Sequence, residues 1–287
     1  MLTSGLRTHL CQYLRQITNR NAKELDTLNL ASSSVVFSPH QDDETLGCGG
    51  TIIRKTRLGA QVWIVFMTDG SGSHQGIIPE NELKAIRRKE ALEASRVLGV
   101  EESHLIFLDF KDGCLGQYRD NAINCIIELL HLIRPCEIFV PYYEDIQRDH
   151  ISTHQIVMSA IWGYDREVIL NEYPVWFWSH WPWVSTPIPH HRRTLADMLK
   201  DTTAGMRLIK DFRYQVKIGE VLELKRTALE QYKSQMIRFV PGTPWQTLWD
   251  VSDGEFLDCF FQDSEIFRRY IFPEGGFNQY SGAAASE

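Results

Sequence analysis

The fold of this chain is decided by the stretch Ser34-Val35-Val36-Phe37-Ser38-Pro39-His40-Gln41-Asp42-Asp43-Glu44-Thr45-Leu46-Gly47-Cys48-Gly49-Gly50. Its short apolar run, rich in β-branched residues, predicts a buried strand, and its glycine-rich end predicts the start of a helix. Between them lie an imidazole and two adjacent carboxylates. At the carboxyl end of a strand, these groups can hold a divalent metal and leave one base free beside it. Metal-assisted hydrolysis requires this combination.

Short apolar strands alternate with helices along the next part of the chain. The predicted strands cover residues 34–37, 62–67, 105–108, 137–140 and 167–171. The predicted helices between and after them cover residues 45–58, 82–98, 122–133 and 152–162. This alternation indicates an α/β fold, a Rossmann-like and mostly parallel sheet with helices on both faces. Helical and irregular C-terminal elements are expected to follow, including helices over 221–236 and 255–270.

The 287 residues are expected to form a single domain with its core over 34–236. An N-terminal helix within residues 1–30 is expected to pack on this core, and the Gly-, Ala- and Ser-rich tail over 274–287 is expected to be flexible. The net charge of -7 argues against nucleic acid as a partner. No apolar stretch is long enough for a membrane span, and the widely spaced cysteines fit reduced thiols. We therefore expect a cytoplasmic protein, and the sequence leaves a homo-oligomer open.

Three polar segments lie at the carboxyl ends of the predicted strands, at residues 40–43, 68–73 and 145–150. In a parallel sheet these ends share one edge, where ligands bind. A metal held by the first segment needs a further protein ligand, and His150 is the best candidate for it. A turn or a helix N-cap would explain one acid of the first segment, but a cation explains the run of acids better.

Two more residues of this edge are candidates for supporting roles. Asp149 directly precedes His150 and is placed to accept a hydrogen bond from an imidazole and orient its ring. His74 follows directly after the second polar segment, in a loop at the same edge, and is a candidate for contact with a substrate.

Residues 39–44 resemble the (P/A)HPDDE motif of the LmbE-like, or PIG-L, deacetylases, which are zinc-dependent enzymes that remove N-acyl groups from amino sugars. Further elements resemble the family in the same order along the chain. They are a TDG loop at 68–70, an RxxE helix at 87–91, a DGxL element at 112–115, the end of an HxDH element at 148–150, and a lysine-rich SQ helix at 225–235.

The resemblance implies that His40, Asp43 and His150 bind zinc and that Asp42 is the general base. Such a ligand set also accepts other divalent transition metals. The implied activity is an N-deacetylase whose substrate is a small amino-sugar conjugate, such as an N-acetylglucosamine derivative. Gln147 departs from the pattern, because the family has a histidine there that assists catalysis. Glutamine can donate a hydrogen bond to an oxyanion but cannot carry a proton charge, so we expect slower or altered chemistry.

Gln147 leaves a second interpretation open, a family member that keeps the metal but has reduced activity or a binding role. A nucleotide-binding Rossmann domain is disfavoured, because no GxGxxG follows the first strand. Arg87 and Asp69 are candidates for binding the substrate, and a surface ion pair with Glu90 or Glu93 is the alternative for Arg87. The Trp-rich segment 173–183 is predicted to be part core and part binding lip, with a dimer interface as the alternative.

Overall fold

The computed structural model describes residues 4–185 and 194–274, which form a mixed α/β fold around an eight-stranded sheet. Its strands are β1 (Lys23–Glu24), β2 (Ser34–Ser38), β3 (Val62–Thr68), β4 (Leu105–Phe110), β5 (Glu137–Pro141), β6 (Val168–Tyr173), β7 (Tyr214–Lys217) and β8 (Ser264–Phe272). Their order in the sheet is β1-β7-β8-β6-β5-β2-β3-β4. Strand β8 runs antiparallel to both of its neighbours, and the other pairs are parallel.

The described helices lie on both faces of this sheet. They are α1 (Ser4–Asn21), α2 (Thr27–Ala31), α3 (Asp43–Arg57), α4 (Glu80–Leu98), α5 (Arg119–Ile133), α6 (Arg148–Trp162), α7 (Leu195–Asp211), α8 (Leu222–Leu229), α9 (Lys233–Met236) and α10 (Glu255–Asp258). None of them combines the length and the apolar character that a membrane span requires. The predicted α/β class, with its mostly parallel sheet, is confirmed.

The core consists of two layers because successive side chains of a strand point to opposite faces of the sheet. In β2, Val36 packs with residues of α3, α4 and α8 on one face. Its neighbours Val35 and Phe37 pack with residues of α5 and α6 on the other face. Since β2 is paired in parallel with both β3 and β5, the loops after these three strands open at the same edge.

The terminal regions differ from the sequence-based expectations. Helix α1 ends at Asn21 and is followed by β1 and the short α2, so the predicted N-terminal helix is two helices and a strand. The helix predicted over 221–236 is divided into α8 and α9. The predicted flexible tail lies outside the described residues, except for residue 274.

The helix predicted over 255–270 is wrong, because only α10 is helical there and β8 follows it. Two arginines of β8 pair with acids on β6 and β5. The guanidinium of Arg268 lies 3.1 Å from Glu172, and that of Arg269 lies 2.8 Å from Glu137. These partners come from distant parts of the chain, so a local sequence pattern does not reveal them.

Candidate metal centre

The turn between β2 and α3 is braced by a buried glutamate. One carboxylate oxygen of Glu44 accepts a hydrogen bond from the amide of Asp42 at 3.1 Å, and the other accepts one from the Tyr232 hydroxyl at 2.6 Å. Asp42 has a φ of 142°, a conformation that is costly for a residue with a side chain. Burial raises the pKa of Glu44, which these hydrogen bonds oppose. Glu44 therefore supports the turn that presents His40 and Asp43.

Three predicted ligands meet at this turn, and we call His40, Asp43 and His150 the metal cluster. Oδ2 of Asp43 lies 3.2 Å from Nδ1 of His40 and 3.1 Å from Nε2 of His150. The two imidazole centroids are 5.4 Å apart. One ligand atom from each of the three residues lies within 4.8 Å of the others. The structure thus joins the first turn of α3 to the first turn of α6.

The chemistry of the metal cluster fits a divalent cation. Nε2 of His150 is buried and makes no hydrogen bond within the described residues, although a carboxylate oxygen lies close to it. Burial alone would lower the pKa of His150, but the Asp43 and Asp145 carboxylates outweigh it and raise this pKa to about 9. Burial would raise the pKa of Asp43, but the imidazoles of His150 and His40 lower it overall. A cation bound here would replace the protons that these groups share.

Carboxylates also lie beside the imidazole nitrogens that face away from Asp43. Nδ1 of His150 is 3.0 Å from Asp145, and Nε2 of His40 is 3.2 Å from Asp112 and 3.6 Å from Asp149. A carboxylate beside an imidazole was predicted at Asp149 but not at Asp112 or Asp145. Asp112 belongs to the DGxL element, which was a signal for it, whereas Asp145 begins the third polar segment but lies in none of the family elements.

Asp42 lies next to the metal cluster, and its carboxylate pairs with an arginine instead of an imidazole. Its carboxylate is 3.3 Å from a guanidinium nitrogen of Arg87, which is itself buried. Arg87 also donates to the backbone carbonyl of Gln41 and, at 3.3 Å, to the hydroxyl of Ser73. Burial raises the pKa of Asp42 to about 7, although the Arg87 charge acts to lower it. Arg87 is therefore a buried partner of Asp42, and the alternative of a surface ion pair with Glu90 or Glu93 is excluded.

Gln147 occupies the position before α6, where its backbone carbonyl accepts from the amide of Ile151 at 3.1 Å. Its side chain is exposed and makes no hydrogen bond with the described residues. Gln147 therefore lies at the N-terminal end of the helix that carries His150, and its side-chain amide faces solvent.

Asp69 and His74 stabilise the loop after β3. One carboxylate oxygen of Asp69 accepts from the amides of Ser71 and Asp112, at 3.1 and 3.2 Å. Both ring nitrogens of His74 have partners at 2.9 Å, and its ring stacks on Trp245 at 3.8 Å. These contacts give both residues a structural role. Their proposed contact with a substrate stays a prediction.

Residues 35–161 match the family model described as PIG-L, GlcNAc-PI de-N-acetylase. The diacetylchitobiose deacetylase of Thermococcus kodakarensis is 32% identical over 117 residues, which are 40% of this chain and 43% of that protein. The probable N-acetyl-alpha-D-glucosaminyl L-malate deacetylase 2 of Bacillus anthracis is 31% identical over 138 residues, 44% of this chain and 58% of the relative. The matches thus span about half the length of these relatives.

A solved structure of the N,N'-diacetylchitobiose deacetylase from Pyrococcus horikoshii shares the fold along almost the whole chain. The TM-score is 0.63 at 20% identity, and the superposition covers 99% of this chain and 98% of the other. The predicted resemblance to the LmbE-like, or PIG-L, family is confirmed.

Two of the PIG-L sequence elements contact each other directly. Glu90, at the end of the RxxE element, accepts hydrogen bonds from the amide and the hydroxyl of Ser234 at 2.7 and 2.6 Å. Ser234 belongs to the SQ element at the start of α9. This contact explains why elements more than a hundred residues apart occur together in the sequence.

A second charged group, which we call the Glu265 cluster, packs against the middle of helix α3 and consists of Glu265 and Lys225. The buried carboxylate of Glu265 accepts from the amides of Gly50 and Thr51 at 2.8 and 2.7 Å, and it pairs with Nζ of Lys225 at 2.8 Å. The same ammonium group donates to the carbonyl of Leu46 at 2.8 Å. This cluster therefore joins β8 and α8 to the glycine-rich part of α3.

The Trp-rich segment is mostly core. Phe177, Trp178 and Trp183 are buried, whereas Trp176 and Trp181 are partly exposed. The amide of Trp176 donates to the carboxylate of Asp145 at 3.2 Å. A binding lip or a dimer interface at the partly exposed rings stays a prediction.

Proposed function

We propose that this protein is a metal-dependent N-deacetylase. Its substrate would be a small amino-sugar conjugate, such as an N-acetylglucosamine derivative, its metal zinc, and its location the cytoplasm. The observation that carries this proposal is the metal cluster, in which Nε2 of His150 is buried beside Asp43 and His40 and has no hydrogen bond within the described part of the chain. The family match and the deacetylase relatives support the reaction and the substrate class. All six cysteines are free thiols, which supports the location.

His40, Asp43 and His150 would hold the metal through two imidazole nitrogens and one carboxylate oxygen. Three protein ligands leave a coordination position open, as catalytic sites require. When bound, a divalent cation polarises the amide carbonyl and lowers the pKa of water. These three residues differ in exposure, since Asp43 and His150 are buried whereas His40 is partly exposed.

Asp42 would act as the general base, because its carboxylate lies beside the metal cluster without being enclosed by the two imidazoles. It would accept a proton from the attacking water and then pass it to the leaving amine. Arg87 fixes the direction of this carboxylate through the 3.3 Å contact. Gln147 would stabilise the oxyanion as a neutral donor. For substrate contact, Arg87, Asp69 and His74 stay our candidates.

Acetate release tests this proposal. Protein freed of metal by a chelator is expected to release no acetate from N,N'-diacetylchitobiose or from an N-acetylglucosamine conjugate, and added zinc is expected to restore the release. Full activity in chelator, with no metal detected in the sample, would refute the proposal.

His150→Ala and His154→Ala form a matched pair for the metal itself. His150 belongs to the metal cluster, whereas His154, one helical turn later, pairs with Glu172 at 2.8 Å. We expect the first variant to lose bound zinc and the second to keep it, as measured by elemental analysis. Equal zinc content in the two variants would contradict the ligand assignment.

The exposed side chain of Gln147, which has no hydrogen-bond partner among the described residues, supports a second candidate function. A family member without a charged group there would keep the metal and bind an amino-sugar ligand with little turnover. Zinc binding that depends on His150, together with no acetate release from any N-acetylated amino sugar offered, would favour this candidate.

A further inference from the structure

Asp145 is a buried acid in the loop that connects β5 to α6. It is 1% exposed, and its own backbone amide donates to the carbonyl of Tyr142 at 3.0 Å. One carboxylate oxygen accepts from the amide of Ile146 at 2.9 Å. The other lies 3.0 Å from Nδ1 of His150, whose side chain is fully buried. The carboxylate is thus fixed at both oxygens, and one of them faces an imidazole.

The Trp-rich segment also donates a hydrogen bond to the carboxylate of Asp145. The amide of Trp176 donates to Oδ2 of Asp145 at 3.2 Å, and this is the oxygen that faces His150. Trp176 is itself placed by stacking on Phe256, with ring centroids 4.7 Å apart. The segment therefore supports the imidazole indirectly, through the acid between them.

The two nitrogens of the His150 ring have different surroundings. Nδ1 faces the Asp145 carboxylate, which can only accept, so Nδ1 carries the hydrogen. Nε2 is buried, makes no hydrogen bond within the described residues and lies 3.1 Å from the Asp43 carboxylate. In a neutral ring, this arrangement leaves the lone pair on Nε2 directed at the metal cluster. Carboxylates that bind the remote nitrogen fix both the tautomer and the orientation of a ligating imidazole.

Asp149 precedes His150 in the sequence, but its carboxylate contacts other residues. Its two oxygens accept from the amides of Gly113 and Leu115, at 2.6 and 3.2 Å, and it approaches His40 at 3.6 Å.

We propose that Asp145 is the positioning residue for His150 and presents Nε2 to the metal. The inference rests on the proposed function, because it takes His150 to be a ligand. It adds a residue outside the family elements and gives the Trp-rich segment a role in the site.

The test is a zinc titration of the full chain with a competing chelator. We expect Asp145→Asn to raise the dissociation constant for zinc by about 10- to 100-fold, the usual effect of losing such a partner. Asp211→Asn is the matched control, because it removes a carboxylate that accepts from the Tyr142 hydroxyl at 2.6 Å and pairs with neither imidazole of the metal cluster. This control is expected to bind zinc like the parent.

A second readout separates positioning from general stability. With cobalt(II) as the metal, the visible absorption bands report the ligand geometry, and we expect them to change in Asp145→Asn but not in Asp211→Asn. In a His150→Ala background, Asp145→Asn is expected to have no further effect on the zinc affinity, since it acts through that ring.

The outcomes distinguish this inference from the proposed function. If the parent binds zinc and Asp145→Asn binds it equally well with an unchanged cobalt spectrum, the inference is overturned and the proposed function stands. If the parent binds no divalent metal, both are overturned. Should Asp145→Asn fail to fold, Asp145→Ser is titrated in the same way, and a parental zinc affinity in that variant overturns the inference.

Discussion

The metal cluster at the first turn of α3 and the Glu265 cluster at its middle differ in how completely their buried polar atoms are paired. In the Glu265 cluster, two amides and an ammonium group converge on the carboxylate. In the metal cluster, Nε2 of His150 has no hydrogen-bond partner among the residues that the structure describes, and the Asp43 carboxylate lies between two imidazoles. A paired group stabilises the fold, whereas a buried polar atom without a partner indicates a place where a ligand completes the pairing.

This difference predicts that substitutions in the two clusters affect different quantities. Changes at the metal cluster and beside it are expected to alter metal binding or rate more than stability. Changes in the Glu265 cluster are expected to alter the free energy of unfolding and leave the metal affinity close to that of the parent.

The largest expected effect is on the rate, in Asp42→Asn. The amide cannot accept the proton of the attacking water, so kcat is expected to fall by about 10²- to 10⁴-fold, the usual contribution of a general base. Zinc content is expected to stay at the parental level, because Asp42 is not among the proposed ligands. Acetate release and elemental analysis of one preparation measure both. Full hydrolysis by this variant would show that another group is the base.

Glu265→Gln tests the other cluster. It leaves the buried ammonium group of Lys225 without its charge partner, so the free energy of unfolding is expected to drop by about 3–5 kcal/mol. Urea denaturation measures this drop, and the zinc affinity is expected to be nearly parental. Glu220→Gln is the control, since Glu220 is 71% exposed and its ion pair with Arg54 spans 3.6 Å. A large loss of zinc affinity in Glu265→Gln would contradict the expectation that this cluster affects stability and not metal binding.

Gln147→His asks whether the exposed position before α6 takes part in catalysis. Losing an oxyanion donor costs about 10²- to 10³-fold in rate. Replacing the neutral glutamine amide with an imidazole that can carry a charge is therefore expected to raise kcat by less than about 10²-fold. Gln155→His, on an exposed part of the same helix, is the control. If both variants show the parental rate and pH profile, position 147 is not catalytic.

The smallest expected effect is that of Gln41→Pro, which restores the residue usual in the family. The side-chain amide of Gln41 donates to the carbonyl of Thr68 at 2.8 Å, and the variant loses this bond. We expect a loss of about 0.5–1.5 kcal/mol in the free energy of unfolding and an unchanged zinc affinity. Thermal unfolding and zinc titration measure the two. A marked gain in stability would show that backbone rigidity outweighs the hydrogen bond at this position.

The sequence predicted those parts of the molecule that depend on local patterns. The apolar run before His40 and the helix start after Asp43 lie where expected, and His150 reaches them because parallel strands end at one edge. The role of Asp145 was missed, because an acid in a loop gives no sign of which ring it faces. Its contact with His150 depends on how the loop after β5 turns, and on the Trp176 amide that holds the carboxylate in place.

Strand β8 was not predicted for the same reason, because its contacts also depend on residues far away in the sequence. Arg268 and Arg269 pair with Glu172 and Glu137, which lie on other strands, and the sequence of the segment alone does not show these partners. The predicted core boundary at residue 236 therefore excluded a strand that lies inside the sheet.

The contact between Glu265 and α3 has a consequence for how the chain is assembled. The Glu265 carboxylate, which accepts a hydrogen bond from the amide of Gly50, lies 215 residues later in the sequence. During synthesis, helix α3 therefore leaves the ribosome long before the residue that stabilises it. A fragment that ends at residue 161, where the family match stops, contains His40, Asp43 and His150 but not β8, whose Glu265 holds helix α3. Truncated versions intended for crystallisation or for transplanting the site into another scaffold should therefore keep the sequence through Phe272.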